Sequence, residues 1–199
     1  ERWNRVWCLL GIASSFHVLV GGWAVTAGLI AWSLSGRARP HATSMLPALL
    51  VGLLLSLPGL LPALALNWQL DHDVTRLANR IYVFQRLPHH LVFHEFNPTF
   101  IARHCGLLLI ITTLALFARW EEPQRRLLRF MAGAVAVSLI GVLIDLASVH
   151  YPDVGAGLLR FYWFRLSDVL VPLTASLSTI AFFYHRLGSH PRLAAAGLS

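Results

Sequence analysis

The chain has 199 residues, 56% of them hydrophobic and only 13% charged, where about a quarter charged is usual for a soluble domain. That composition excludes most soluble globular classes and points to an integral membrane protein. The net charge of +7 rests on 16 basic residues, all arginine; they are scattered singly between apolar runs, with no basic stripe and interleaved aromatics, which excludes a nucleic-acid binder.

The lysine-free set suits a GC-rich bacterial genome, so the expected location is the bacterial inner (plasma) membrane. Cys8 and Cys105 lie in or beside apolar segments without a CxxC partner, as buried free thiols do. The opening "ERWNRVW" has no signal-peptide n-region and reads as a processed product or part of a longer protein.

The predicted architecture is all-α: a polytopic membrane helix bundle of about five transmembrane helices plus one amphipathic interfacial helix, in a single transmembrane domain over 1–199. The first span is Val6 to Leu34, long enough to tilt, with His17 near its middle among Gly11, Ser15, Gly21, Gly22, Ala24 and Gly28; small residues of that kind mark close helix packing. The second is Ser44 to Leu66, where Pro47, Pro58 and Pro62 predict a kinked or broken helix.

The only long connection follows, 67–96. Leu70, Val74, Leu77, Ile81 and Phe84 recur on one helical face and Asp73, Arg76, Asn79 and Arg80 on the other. This is an amphipathic helix lying on the membrane surface, with Asn67, Asp71 and Asp73 at its start and Pro88 at its end. The loop "RLPHHLVFHEF" (86–96) then leads to "NPT", with Asn97 as helix cap and Pro98 at the first position. The third span runs to Ala118, the fourth from Leu127 to Val149 and the fifth from Phe161 to Tyr184, before the tail "GSHPRLAAAGLS".

Arginines in short loops orient such a chain. Arg37 and Arg39, then Arg119, Arg125 and Arg126, then Arg186 and Arg192 fall on one side, assigned to the cytoplasm. The opposite side holds Arg2 and Arg5, the surface helix with the histidine loop, and the turn "HYPDVGAGLLR". That makes 67–96 extracytoplasmic and leaves the N-terminus outside, as if earlier spans preceded it.

Charged residues inside apolar spans usually face a bundle interior or wet cavity. Asp145, His150, Arg160, Arg165 and Asp168 all fall at the level of the histidine loop, and the spacing of Arg165 and Asp168 predicts an ion pair. "FYWF" reads as an interfacial aromatic belt or as the lining of a sugar or prenyl path. In the loop, His90 and His94 share a face if helical and Glu95 joins them, a set able to hold zinc; no strong metal signature accompanies them. Arg80, Arg86, His89 and His90 at headgroup level suit an anionic phosphate better, because they supply charge-assisted donors. A wet surface loop is the third reading.

The stretches "SFHVLVGGWA", "RLPHHL" and "YWFRLSDVLVPL", in that order and separated by apolar helices, resemble the C-terminal half of large bacterial multi-pass proteins that are similar to the polyprenol-phosphate-dependent glycosyltransferases of the GT-C type. The resemblance implies sugar transfer from a lipid-phosphate donor at the extracytoplasmic face. Substrate contacts then fall to Arg80, Arg86, His89, His90, His94, Asp145, Arg165 and Asp168. It also implies a catalytic acid in a first outer loop, which no segment here matches. The other class of function is a non-catalytic subunit of a larger membrane complex, with other membrane subunits as partners and His17 or His104 binding haem or pigment. A transporter would suit the proline-rich second span, but no inverted repeat is evident.

Overall fold

The structure is a computed structural model that describes residues 2–68, 71–117 and 120–189, with helices and turns and no strand among them. Leu70, Ala118, Arg119, Arg192 and the tail from 190 onward lie outside the described residues.

The expected first span is two helices, α1 (Arg2–Phe16) and α2 (Val18–Ser33). The break falls at His17, whose backbone is extended (φ −147°, ψ 91°) and whose Nδ1 accepts from the Val20 N–H at 3.4 Å, a capping arrangement for α2. Trp7 lies against Gly28 and Ser14 against Gly21, so the helices run antiparallel as a hairpin. Their contact is close: a Cβ on Gly21 would stand 2.4 Å from the Ser14 Cα, well inside van der Waals separation. His17 is thus an exposed residue at a hairpin turn, not a packing residue in the middle of a span.

Next come a 3₁₀ turn (Gly36–Ala38) and α3 (Ala42–Trp68). Despite Pro47, Pro58 and Pro62, α3 is helical without interruption, which corrects the expected break. It runs parallel to α1: Gly52 faces Trp7 and Gly11, and Gly59 faces Ser15.

The surface segment opens with α4 (His72–Arg80), capped by the Asp71 carboxylate accepting from the Asp73 and Val74 N–H groups at 2.8 and 3.3 Å. It widens into a π-helical stretch, Ile81–Arg86, then continues through α5 (Pro88–Leu91) and a 3₁₀ turn, Phe93–Glu95. Val74, Leu77 and Ile81 are exposed, as expected of a face turned to lipid. On the other face, Asn79 meets Arg160 and Arg80 meets Asp153.

Four more helices follow among the described residues: α6 (Pro98–Phe117), α7 (Glu122–Ser148), α8 (Pro152–Leu159) and α9 (Arg165–Ser189). The start of α6 is as read from "NPT": the Asn97 Oδ1 accepts from the Thr99 N–H at 2.9 Å and its hydroxyl at 2.7 Å. The segment expected as a mere turn, 150–160, contains α8, started by Pro152 at its first position. Conversely, Phe161–Phe164 is turn rather than helix, so α9 begins at Arg165.

Among the described residues, four helices are long and apolar enough to cross a membrane: α3, α6, α7 and α9. With the α1–α2 hairpin among them, this is the build of a multi-pass membrane protein. Its core joins Ala24 and Ala27 of α2 to Met131 and Ala134 of α7 and Leu170 and Val171 of α9. Ala27 lies on Gly133, while Trp23 stacks 4.2 Å from Trp163, which packs on Gly141; α2 and α7 are therefore antiparallel.

These directions sort the chain into two sides. One, the loop side, collects the His17 turn, the surface segment, the end of α7, α8 and the start of α9. The other, the arginine side, collects the 34–41 connection with Arg37 and Arg39, and the start of α7 with Arg125 and Arg126. The start of α1 belongs there as well, because Trp3 lines the same cleft as Arg126 and Arg129. Arg2 and Arg5 consequently sit on the arginine side, opposite to where the single-span reading put them.

Candidate functional site at the loop side

The histidine loop exposes His89, His90, His94 and Glu95 but is anchored between them. Its apolar residues Leu91 and Val92 are fully buried, with Val83 of the π-helical stretch and Ala156 and Leu159 of α8. This burial fixes the polar residues between them. The backbone turns extended at Val92 (φ −114°, ψ 111°), so His90 and His94 do not share a helical face, and the expected metal-binding face is lost. Among the described residues no group of three or more His, Cys, Asp or Glu side chains is placed to hold a metal ion.

The sharpest arrangement joins two residues 51 positions apart. Asp145, in the last two turns of α7, is 1% exposed. Its Oδ2 accepts from the His94 backbone N–H at 3.1 Å and stands 2.9 Å from the His94 Nδ1. A carboxylate acceptor places the imidazole proton on Nδ1 and leaves the Nε2 lone pair free. The His94 side chain is 56% exposed, with Glu95 Oε1 3.9 Å from Nε2. The second carboxylate oxygen of Asp145, Oδ1, is buried without a hydrogen-bond partner. A buried carboxylate that orients a histidine and turns its other nitrogen outward is the arrangement of a general base. It also keeps one acceptor uncommitted.

Beside it, Phe93, Phe96 and Phe164 form an aromatic cluster with ring centroids 4.9–6.3 Å apart. Phe164 is buried, so the last residue of the "FYWF" stretch packs into the loop.

On the far side of that cluster is a second polar group. Asp168, in the first turn of α9, lies in the electrostatic field of His104, Arg165, Arg103 and His90. It does not close the expected ion pair with Arg165: the ion pairs formed among the described residues lie elsewhere. Its neighbours on α6, Arg103 and His104, share its field, so the charge is spread across two helices. The rings of His89 and His90 lie 4.2 Å apart, tilted by 46°. Burial, then the neighbouring His89 and Arg165, lower the basicity of His90, and Asp168 opposes them. His90 is therefore a neutral donor near pH 7.

A third set of contacts ties the surface segment down. Arg80 pairs through its Nε with Asp153 of α8, which holds the surface segment on that helix. Arg160 donates through Nη1 to the Asn79 Oδ1 at 3.1 Å and lies over the Phe161 ring. The hydroxyls of Tyr82 and Tyr162 meet. Arg86 and Arg165 are exposed and enter none of the ion pairs above.

The structure thus brings His94 to Asp145, and His90 to Arg165 and Asp168; it pairs Arg80 with Asp153 and leaves Arg86 outside both groups. Reading the sequence missed Asp153, Tyr82 and Tyr162, and it considered His104 only as a haem ligand. Asp153, one residue after the helix-starting Pro152, was the available signal that a helix end lay there. Compared with protein-family models, with curated proteins and with solved structures, the chain has no match.

Proposed function

We propose that this chain handles a lipid-phosphate-linked sugar at the extracytoplasmic face of the bacterial plasma membrane, with His94 as general base. The observation that carries the reading is the His94–Asp145 pair, a half-exposed imidazole oriented by a buried carboxylate. In this reading His94 Nε2 takes the proton of an acceptor hydroxyl as that oxygen attacks the anomeric carbon. The carbon–oxygen bond to the lipid phosphate breaks, and the departing phosphate takes the electron pair. Arg165 and His90 supply donors for that phosphate, and the paired His94 and Asp145 stand in for the acid that a first outer loop supplies in the enzymes this sequence resembles. Sidedness rests on Arg5, Arg37, Arg39, Arg125 and Arg126 lying together at one end of the bundle, which is the cytoplasmic end by the positive-inside rule.

The test is release of labelled sugar from a polyprenol-phosphate donor by the full chain in liposomes. His94→Ala and Asp145→Asn should each lower turnover by about 10²–10⁴-fold, the usual worth of a positioned base, while donor binding persists. Unchanged turnover in both variants removes His94 from the chemistry. If the unaltered chain releases no sugar and binds polyprenol phosphate no better than the neutral prenol, the non-catalytic subunit reading stands instead.

A further inference from the structure

The opposite end of the bundle holds a cleft that the loop-side chemistry does not use. It lies between the α1–α2 hairpin and the start of α7 and encloses about 360 Å³. Gly28 and Ala31 of α2 line it together with Leu127 and Phe130 of α7. Leu9 and Leu10 of α1 supply the remaining apolar wall.

The mouth is different. Arg126 and Arg129 of α7 border the cleft along their carbon stems, with Ser35 also in its lining. Three guanidinium groups, from Arg125, Arg126 and Arg129, converge on the single carboxylate of Glu122 at 3.3, 2.9 and 3.4 Å. The neighbouring Glu121 is exposed and enters none of these pairs. One carboxylate cannot neutralise three cations, and the positive end of the α7 dipole points the same way. Arg37 and Arg39 add to the positive charge of this side.

An apolar slot beside three arginines that share one carboxylate matches a ligand with an apolar tail and an anionic head. We infer that the cleft binds an anionic phospholipid of the leaflet on the arginine side, with one acyl chain along Gly28 and Ala31 and its phosphate on Arg126 and Arg129. Guanidinium groups suit that phosphate because their paired donors match its oxygens. The inference is independent of the transferase reading: the site lies at the other end of the bundle and shares no residue with His94, Asp145 or Arg165.

The experiment uses the full chain in neutral detergent and measures binding of phosphatidylglycerol and phosphatidylcholine of identical chains by native mass spectrometry. The unaltered protein should hold phosphatidylglycerol at least about tenfold more tightly, a difference on the scale of one good charge-assisted contact. The double variant Arg126→Gln, Arg129→Gln should bring the two lipids to the same affinity. Leu9→Trp, which places bulk in the slot from a position already exposed, should weaken both. The double variant Arg37→Gln, Arg39→Gln should preserve the preference. Equal binding of the two lipids by the unaltered protein overturns the inference, as does a preference lost equally in the Arg37, Arg39 variant, since diffuse surface charge would then be responsible. A dimer that Leu9→Trp converts to monomer, with lipid retention unchanged, overturns it too, because a second copy would then be the occupant.

Discussion

The phenol oxygens of Tyr82 and Tyr162 meet at 2.6 Å, joining the π-helical stretch to the turn before α9 across 80 positions of sequence. Tyr162 holds a positive φ of 57°, a conformation unfavourable for a bulky side chain, so its surroundings must impose it. Burial and the bond from Tyr82 push its phenol from 10.0 up to about 12. A phenol that holds its proton more tightly when folded contributes its full stabilisation below about pH 10 and loses it as pH rises to about 12. Tyrosinate absorbance should therefore show one late-titrating tyrosine, and release of the surface segment should follow it. In Tyr82→Phe the late step should move down toward the ordinary range, and stability at neutral pH should fall by about 1 kcal/mol. A Tyr82→Phe titration identical to that of the unaltered chain contradicts the bond.

The α1–α3 contact makes a second prediction. A Cβ at Gly52 would stand 2.6 Å from the Trp7 carbonyl oxygen, a backbone atom that cannot swing aside. Gly52→Ala should force the helices apart and destabilise the fold by roughly 1–3 kcal/mol. Gly106→Ala, where nothing lies within 4 Å of the added carbon, is the control and should be neutral or mildly stabilising. Equal thermal stability of the two variants would count against the parallel packing.

Sidedness is checked by chemistry from outside the cell. With Cys8 and Cys105 replaced, single cysteines at Arg5, Arg37 and Glu121 should resist an impermeant thiol reagent in intact cells, while one at His72 should react. The Arg5 position discriminates most: the hairpin places it with Arg37, whereas a single first span places it with His72.

The coupling of His94 to Asp145 is open to a double-mutant cycle on stability. His94→Ala and Asp145→Ala should be non-additive by about 1 kcal/mol, kept modest because the imidazole is half exposed and solvent screens it. Additive losses would mean that the two side chains do not interact.

Local signals in the sequence transferred well. Asn97 and Pro98 start α6 as read, because a cap depends only on residues within one turn. Hydrophobic length located α3, α6, α7 and α9, and a common membrane level grouped Asp145 with the histidine loop before any contact was known. Long-range and conformational facts did not transfer. Nothing between Val6 and Leu34 marks a reversal except His17, and an apolar run looks the same whether it crosses once or folds back. The extended backbone at Val92 separates His90 from His94, and that conformation comes from burial beneath α8, an element hidden because Gly155 and Gly157 resemble turn residues. The Arg165–Asp168 spacing suited an ion pair, yet α6 brought competing partners in Arg103 and His104.

The hairpin at His17 bears on how the chain enters a bilayer as it is made. Its arms of 15 and 16 residues rise only about 22–24 Å at 1.5 Å per residue, less than the roughly 30 Å of hydrocarbon. Neither arm is a durable guest of lipid by itself. The wall that α1 leans on, Gly52 and Gly59 of α3, leaves the ribosome only after both arms have emerged. The first arm of the hairpin thus settles only once α3 is made, and synthesis interrupted between α2 and α3 would leave an orphaned hairpin exposed to membrane proteases.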